Sequence, residues 1–339
     1  MESWSSKIKS NWDKIAKPLD SLGKLESLVA KLGAIQKTEH PSCEKSCLVV
    51  LCADNGIVEE GISQSDQSIT RICAQNIAAG KTTVGIMASQ VNCHIMTYDV
   101  GINTQDELKN VINRKIRAGT RNFLKEEAMT GEEVDQALDL GKEIVLDCKN
   151  KGYDLICVGE MGIGNTTTSA AIAASILKTG GEITAGRGAG LSDEGLKRKV
   201  FVINEAIKKY DLYNKDSLSV LKAVGGYDLA VMTGIYLAAK EYSMAVVLDG
   251  AISITAALVA EKHEKGIVDF LLPSHISREP IGELLCRELK LSPVLDAGMA
   301  LGEGTGAVLF LGILKTAIAV YEKSVPFADS NVEQYKRFK

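Results

Sequence analysis

From residue 46 onward the chain alternates short, unbroken apolar runs with longer stretches whose apolar residues recur every three or four positions. The runs are Cys47 to Ala53, Cys93 to Gly101, Leu155 to Glu160 and Met244 to Gly250. Their continuity predicts strands buried on both faces, and each finishes in an acid close to a glycine. Helical spacing is expected over Ser68 to Ser89, Gly131 to Lys149, Thr166 to Lys178, Asp193 to Lys208 and Asp228 to Lys240. Strands alternating with helices imply right-handed crossovers, hence an α/β fold with a parallel sheet covered by helices on both faces. In such a sheet the polar residues at the strand ends line the crevice where ligands bind.

The chain ends read differently. The first forty residues are polar and helical, with an amphipathic helix marked by apolar residues at 25, 28, 29 and 32. The oily stretches Met244 to Ala260 and Ala307 to Val320 are interrupted by Asp249 and Lys315 and fall short of the roughly 18 apolar residues a membrane span needs, so they read as buried core. One large α/β domain with a smaller helical layer drawn from both ends is expected, and Phe327 to Val332 reads as an exposed tail or a lid.

Composition narrows the function. The 339 residues carry 39 Lys and Arg against 43 Asp and Glu, a net charge of −4 without a basic block, which argues against a nucleic-acid partner. The start, Met1-Glu2-Ser3-Trp4-Ser5-Ser6-Lys7, lacks the apolar core of a signal peptide, so no membrane partner and a cytoplasmic location are expected. Eight scattered cysteines fit a reducing compartment, and neither they nor the four histidines have zinc spacing; no metal is expected.

Three glycine-rich elements carry the candidate chemistry. In Gly159-Glu160-Met161-Gly162-Ile163-Gly164-Asn165-Thr166 a strand runs into glycines and then into helix-capping residues whose free N–H groups suit an anion, most naturally phosphate. A P-loop would need Lys-Ser or Lys-Thr where Asn165-Thr166 stands, which disfavours ATP-dependent phosphoryl transfer. Gly186-Arg187-Gly188-Ala189-Gly190 has no strand leading into it and matches a dinucleotide fingerprint only loosely. Followed by Lys199, it offers backbone N–H groups and a cation for one phosphate, although a lysine there could equally be a solvated charge. In Gly302-Glu303-Gly304 a carboxylate without an adjacent cation sits where the backbone can come close to a ligand. A dry pocket would raise its pKa and suit a general base; a dipole-favoured helix-start acid is the plainer alternative.

In this order and at these separations, the elements resemble the nicotinate-nucleotide–dimethylbenzimidazole phosphoribosyltransferase family. The resemblance runs nearly end to end. It extends through Lys17 to Glu26, Ala53 to Gly61, Gly225-Gly226-Tyr227-Asp228, Leu248-Asp249-Gly250, Ser274-His275-Ile276-Ser277-Arg278-Glu279-Pro280 and Leu301 to Gly306. It implies a Rossmann-like large domain over 30–275 and a small helical domain formed by 1–29 together with 276–339, which carries the catalytic glutamate. It also implies a homodimer with active sites near the interface. The implied reaction moves 5-phosphoribose from nicotinate mononucleotide to 5,6-dimethylbenzimidazole, giving α-ribazole 5′-phosphate and nicotinate without a cofactor.

Carried over residue by residue, the resemblance makes Glu303 the base and puts Glu160 near the ribose. It assigns Gly162, Gly164, Asn165, Thr166, Gly188 and Lys199 to the phosphate, and adds Asp249, Ser277 and Gln67 as further substrate-binding candidates, Gln67 toward the benzimidazole. Two departures leave the acceptor open. Asn55 stands where histidine is usual, and Ile281-Gly282-Glu283 follows Pro280 where Gly-His is usual. A phenolic or purine acceptor, or a non-catalytic nucleotide-binding subunit, are the alternatives.

Overall fold

Ser46–Ala53 is buried at every position and forms the central strand, β1, of a six-stranded sheet in the computed structural model, which describes residues 2–337. The other strands are β2 (Cys93–Gly101), β3 (Ile112–Asn113), β4 (Leu155–Met161), β5 (Ala245–Leu248) and β6 (Leu271–Pro273). Their order is β3-β2-β1-β4-β5-β6 and every pairing is parallel, which is the doubly wound Rossmann arrangement. The order reverses between β1 and β4, where Cys52 pairs with Met161, so that Asp54-Asn55 and the chain beyond Glu160 leave the sheet side by side.

Alternation along the strands divides the core. Cys47, Val49 and Leu51 of β1, with Ile156 and Val158 of β4, face helices Gly131–Asn150, Asn165–Ile176, Tyr227–Tyr242 and Ala251–His263. Leu48, Val50 and Cys52 face the other way, onto a layer built from Ile8 and Trp12 near the start, Leu28 and Leu32 of helix Lys24–Gln36, and Phe310 and Leu314 of helix Thr305–Lys323. Both chain ends therefore meet on one face of the sheet. By length and composition Thr305–Lys323 could cross a membrane, but half of it is buried in this layer.

The expected strands and helices recur with three differences. The helix expected over Ser68 to Ser89 is two helices, Ser68–Ala78 and Thr83–Gln90, because the chain turns at Gly80, whose φ of +68° is left-handed. The oily stretch from Met244 divides into β5 and helix Ala251–His263, separated by Asp249-Gly250. Strands β3 and β6, of two and three residues, had no periodicity by which to be recognised. At the far end Phe327 is buried while 328–329 and 331–337 are exposed, and Arg337 pairs with Asp13 and Asp20, fastening this segment to the N-terminal region.

Candidate active site

The site lies beyond the carboxyl ends of β1 and β4. Gly164, at φ +96°, turns β4 into helix Asn165–Ile176, and the second glycine cluster lies beside it, ahead of helix Asp193–Tyr210, which Ser192 caps by accepting from the Gly195 N–H. Gly162, Gly164, Asn165, Thr166 and Gly188 together line one cleft of about 80 Å³. Lys199 is fully buried at its edge, donating to Thr166 Oγ1 at 2.9 Å and to the Gly186 carbonyl at 3.0 Å. It thus ties the two clusters together. Burial pulls its ammonium down to about 8, and the charge that holds it up comes from Glu279 at longer range. A buried cation without a direct acidic partner, behind Thr166 in the wall of a glycine-lined cleft beside a helix N-terminus, suits a phosphate.

Glu303 sits on the neighbouring loop. Gly302, Glu303 and Gly304 all have left-handed φ, of +85°, +60° and +89°, a conformation that costs a non-glycine residue on the order of 1–2 kcal/mol. The surroundings impose it. The Glu303 N–H donates to the Glu160 carbonyl at 3.3 Å, and a Cβ on Gly159 would come to 2.6 Å from the Glu303 carbonyl carbon. Asp249 clamps the other side: it accepts from the N–H groups of Gly304 (3.1 Å), Gly306 (2.8 Å) and Ala307 (3.3 Å), capping helix Thr305–Lys323 from outside the helix. The Glu303 carboxyl faces Thr82 and the N–H of Val84, which favour its charged form, but burial outweighs them and raises its pKa. Its Oε2 is buried without a protein partner. This acceptor is held in place and left free.

Glu160, only 7% exposed, lies between these two parts. It accepts from the Asn165 amide and lies against Gly302. Burial, then the charges of Asp228 and Asp249, push it up to about 8, against the opposing Asn165 bond. Burial likewise lifts Asp54 and Asp228 to about 6. Between the ordinary carboxylate range and pH 8 the folded protein therefore holds protons that the unfolded chain has released, so stability falls as pH rises. Calorimetry should show Tm about 3–5 °C lower at pH 8 than at pH 5.5, and a Tm that rises across this interval would contradict protonated buried acids. Above pH 8 the depressed Lys199 acts in the opposite sense.

Two candidates serve the scaffold in this structure. Gln67 donates to the Asn55 carbonyl at 3.1 Å and accepts from the Asn103 amide at 3.0 Å, which fixes the turn after β1. Ser277 accepts from the Glu279 N–H at 3.3 Å, and its Cβ lies against Gly250, next to Asp249. Three residues that were not among the site candidates stand close to them: Thr82 beside Glu303, Asp228 bonded to Asn165, and Asn55 beside Asp228. Asp228 stands in the first turn of helix Tyr227–Tyr242, a position that by itself gives no sign of a partner on another strand's end.

A doubly wound sheet with a glycine-lined cleft suited to an anion, a buried lysine beside it and a carboxyl oxygen without a protein partner near its switch point are the features of an α/β enzyme that acts on a phosphorylated ligand. Comparison with known proteins makes this specific. A family model described as phosphoribosyltransferase (DBI_PRT) matches residues 1–332. The nicotinate-nucleotide–dimethylbenzimidazole phosphoribosyltransferase of Ruminiclostridium cellulolyticum is 41% identical over 330 residues, 97% of this chain and 94% of its own. The enzyme of that name from Clostridium perfringens strain 13 is 38% identical over 96% of this chain and 91% of its own. The crystal structure of CobT from Thermus thermophilus superposes with a TM-score of 0.92 at 35% identity, covering 98% of this chain and all of that one. The chain belongs to the nicotinate-nucleotide–dimethylbenzimidazole phosphoribosyltransferase family.

Proposed function

We propose that this protein transfers 5-phosphoribose from nicotinate mononucleotide to 5,6-dimethylbenzimidazole, and that the free Oε2 of Glu303 is the observation that carries the reading. The donor phosphate lies in the cleft of Gly162, Gly164 and Gly188, held by backbone N–H groups, Asn165, Thr166 and the Lys199 ammonium. The bond from C1′ to the pyridine nitrogen breaks, its electron pair returns to that nitrogen, and the leaving nicotinate ring loses its positive charge. One benzimidazole nitrogen attacks C1′ from the opposite face through a cation-like transition state, so a β linkage becomes α. The proton on the other ring nitrogen, made acidic as the bond forms, passes to Glu303. Glu160 flanks the ribose, where its charge, once ionised, stabilises the developing cation.

The assignment of Lys199 predicts that Lys199→Met raises KM for nicotinate mononucleotide by about tenfold or more with a smaller effect on kcat, since a charge-assisted bond to phosphate is worth roughly 1.5–3 kcal/mol. Steady-state kinetics check it, and an unchanged KM would remove Lys199 from the phosphate. For the reaction itself, the purified protein with nicotinate mononucleotide and a panel of acceptors in competition should release nicotinate fastest with dimethylbenzimidazole. Preference for a phenol or adenine would assign a different acceptor, and no release with any of them would defeat the reading. The changed residues Asn55 and 281–283 motivate that panel.

The chain-end layer acts as the small domain, expected over 1–29 and 276–339, although helix Lys24–Gln36 crosses the first of these bounds and Ile281, Leu285 and Cys286 pack with the core on the other face of the sheet. A homodimer in the cytoplasm accompanies this reading. An apolar groove of about 570 Å³ runs along helix Thr305–Lys323 between Leu22, Leu25, Met87, Val91, Ile313 and Val320. Its walls, helices Thr83–Gln90 and Thr305–Lys323, are the elements that flank Glu303, which fits an interface close to the site.

A further inference from the structure

Asp228 has a place in a helix N-terminus, yet its environment is not that of a surface dipole acid. It is fully buried, and only one of its oxygens stays with the helix, accepting from the Leu229 N–H at 2.9 Å. The other accepts from the Asn165 amide at 3.1 Å. That same amide nitrogen donates to Glu160 Oε2. Both of its hydrogens are thus committed, one to each carboxyl group, and the Asn165 amide can turn only by releasing both. An amide oxygen turned toward the Asp228 carboxylate would face an acceptor, so Asp228 sets the orientation. On the far side of Asp228, its Oδ1 and the Oδ1 of Asn55 converge over Gly226, where a Cβ would not fit, and the Asn55 oxygen has no protein partner.

We propose that Asp228 is a positioning residue for Glu160: through the bridging amide of Asn165 it fixes the orientation of the carboxyl group that flanks the reacting sugar. The inference rests on the transferase reading for the role of Glu160 but not for the bridge itself. The bridge Asp228, Asn165, Glu160 joins the start of helix Tyr227–Tyr242 to the end of β4, and the unpartnered Asn55 oxygen on the turn after β1 lies beside Asp228 over Gly226. The turn that departs from the family pattern, at Asn55, therefore adjoins the residue that orients an active-site acid. The charged and titratable groups facing this bridge are Asp54 and Cys52 on β1 and its turn, Asp249 after β5, and Glu303 on its own loop; no cation is among the principal influences on either Glu160 or Asp228. Burial and the Asp228 charge hold Glu160 protonated up to about pH 8, in agreement with the geometry.

Asp228→Asn keeps the shape and can keep the bridge. Its amide oxygen can accept from Asn165 while its NH₂ supplies the donor that Asn55 lacks, at the expense of the Leu229 contact. It removes the charge. In protein labelled with ¹³C at the glutamate carboxyl carbons, with residue 160 assigned by its disappearance in Glu160→Gln, Glu160 should titrate about one pH unit lower in Asp228→Asn than in wild type. The acid limb of kcat/KM for nicotinate release should move by the same interval. Asp228→Ala, which breaks the bridge, should lower kcat about tenfold with KM for nicotinate mononucleotide held within about twofold, and Asp228→Asn should recover most of that loss. An unmoved Glu160 titration in Asp228→Asn, or a folded Asp228→Ala protein with wild-type kcat, overturns the proposal. Because the titration is read without substrate, a protein that released no nicotinate would count against the transferase reading alone.

Discussion

Glu303→Gln should release nicotinate from its nucleotide at least about 100-fold more slowly than wild type, with KM for the donor little changed. The substitution keeps size and shape, so the clamps on the loop, which run through backbone atoms, survive it. What it removes is the ability to take a proton. Glutamine's amide cannot be protonated near neutral pH, and the attacking benzimidazole would have to keep its second ring proton and carry a full positive charge. The loss should shrink for an acceptor supplied already deprotonated, a dependence that a merely structural role for Glu303 would not produce. Turnover at the wild-type rate would remove the residue from its role.

The second large effect is expected at Asp249. In Asp249→Ala three N–H groups at the start of helix Thr305–Lys323 lose their acceptor in a dry environment. An unsatisfied buried donor costs roughly 1–3 kcal/mol, so a loss of about 3 kcal/mol or more of stability is expected, visible as a Tm drop of about 4 °C or more. The left-handed path through Gly302, Glu303 and Gly304 depends on the same clamp, so activity should fall at least about tenfold even where the protein is folded. Asp249→Asn retains one acceptor and should lie between Ala and wild type in both measurements. Equal stability of all three would show that the helix start is held by something else.

Much of the fold was legible because its strands are unbroken apolar runs: a fully buried parallel strand must be apolar on both faces, as Leu48, Val49 and Val50 are. β6 was not, since three residues ending in Pro273 owe their place in the sheet to pairing with Val246, Val247 and Leu248 rather than to any pattern of their own. Glu303, Glu160 and Lys199 were legible as types in glycine-rich settings. Their environments were not: Lys199 could have been a solvated charge, and only packing shows it fully buried between Thr166 and Gly186. Asp249 was singled out for substrate, and its oxygens accept from the backbone of the Glu303 loop, a contact across 55 residues that no local spacing reveals. Asp228 and Asn55 matter through a partner on another strand's end, for the same reason.

The most direct test of the account is a crystal structure of the protein with α-ribazole 5′-phosphate and nicotinate bound. A Glu303 carboxylate oxygen should lie about 2.6–3.2 Å from the benzimidazole nitrogen that is not joined to ribose, with the phosphate against Lys199 Nζ and the N–H groups of the glycine cleft. A Glu303 side chain turned away from the heterocycle, or a phosphate bound outside that cleft, would contradict it.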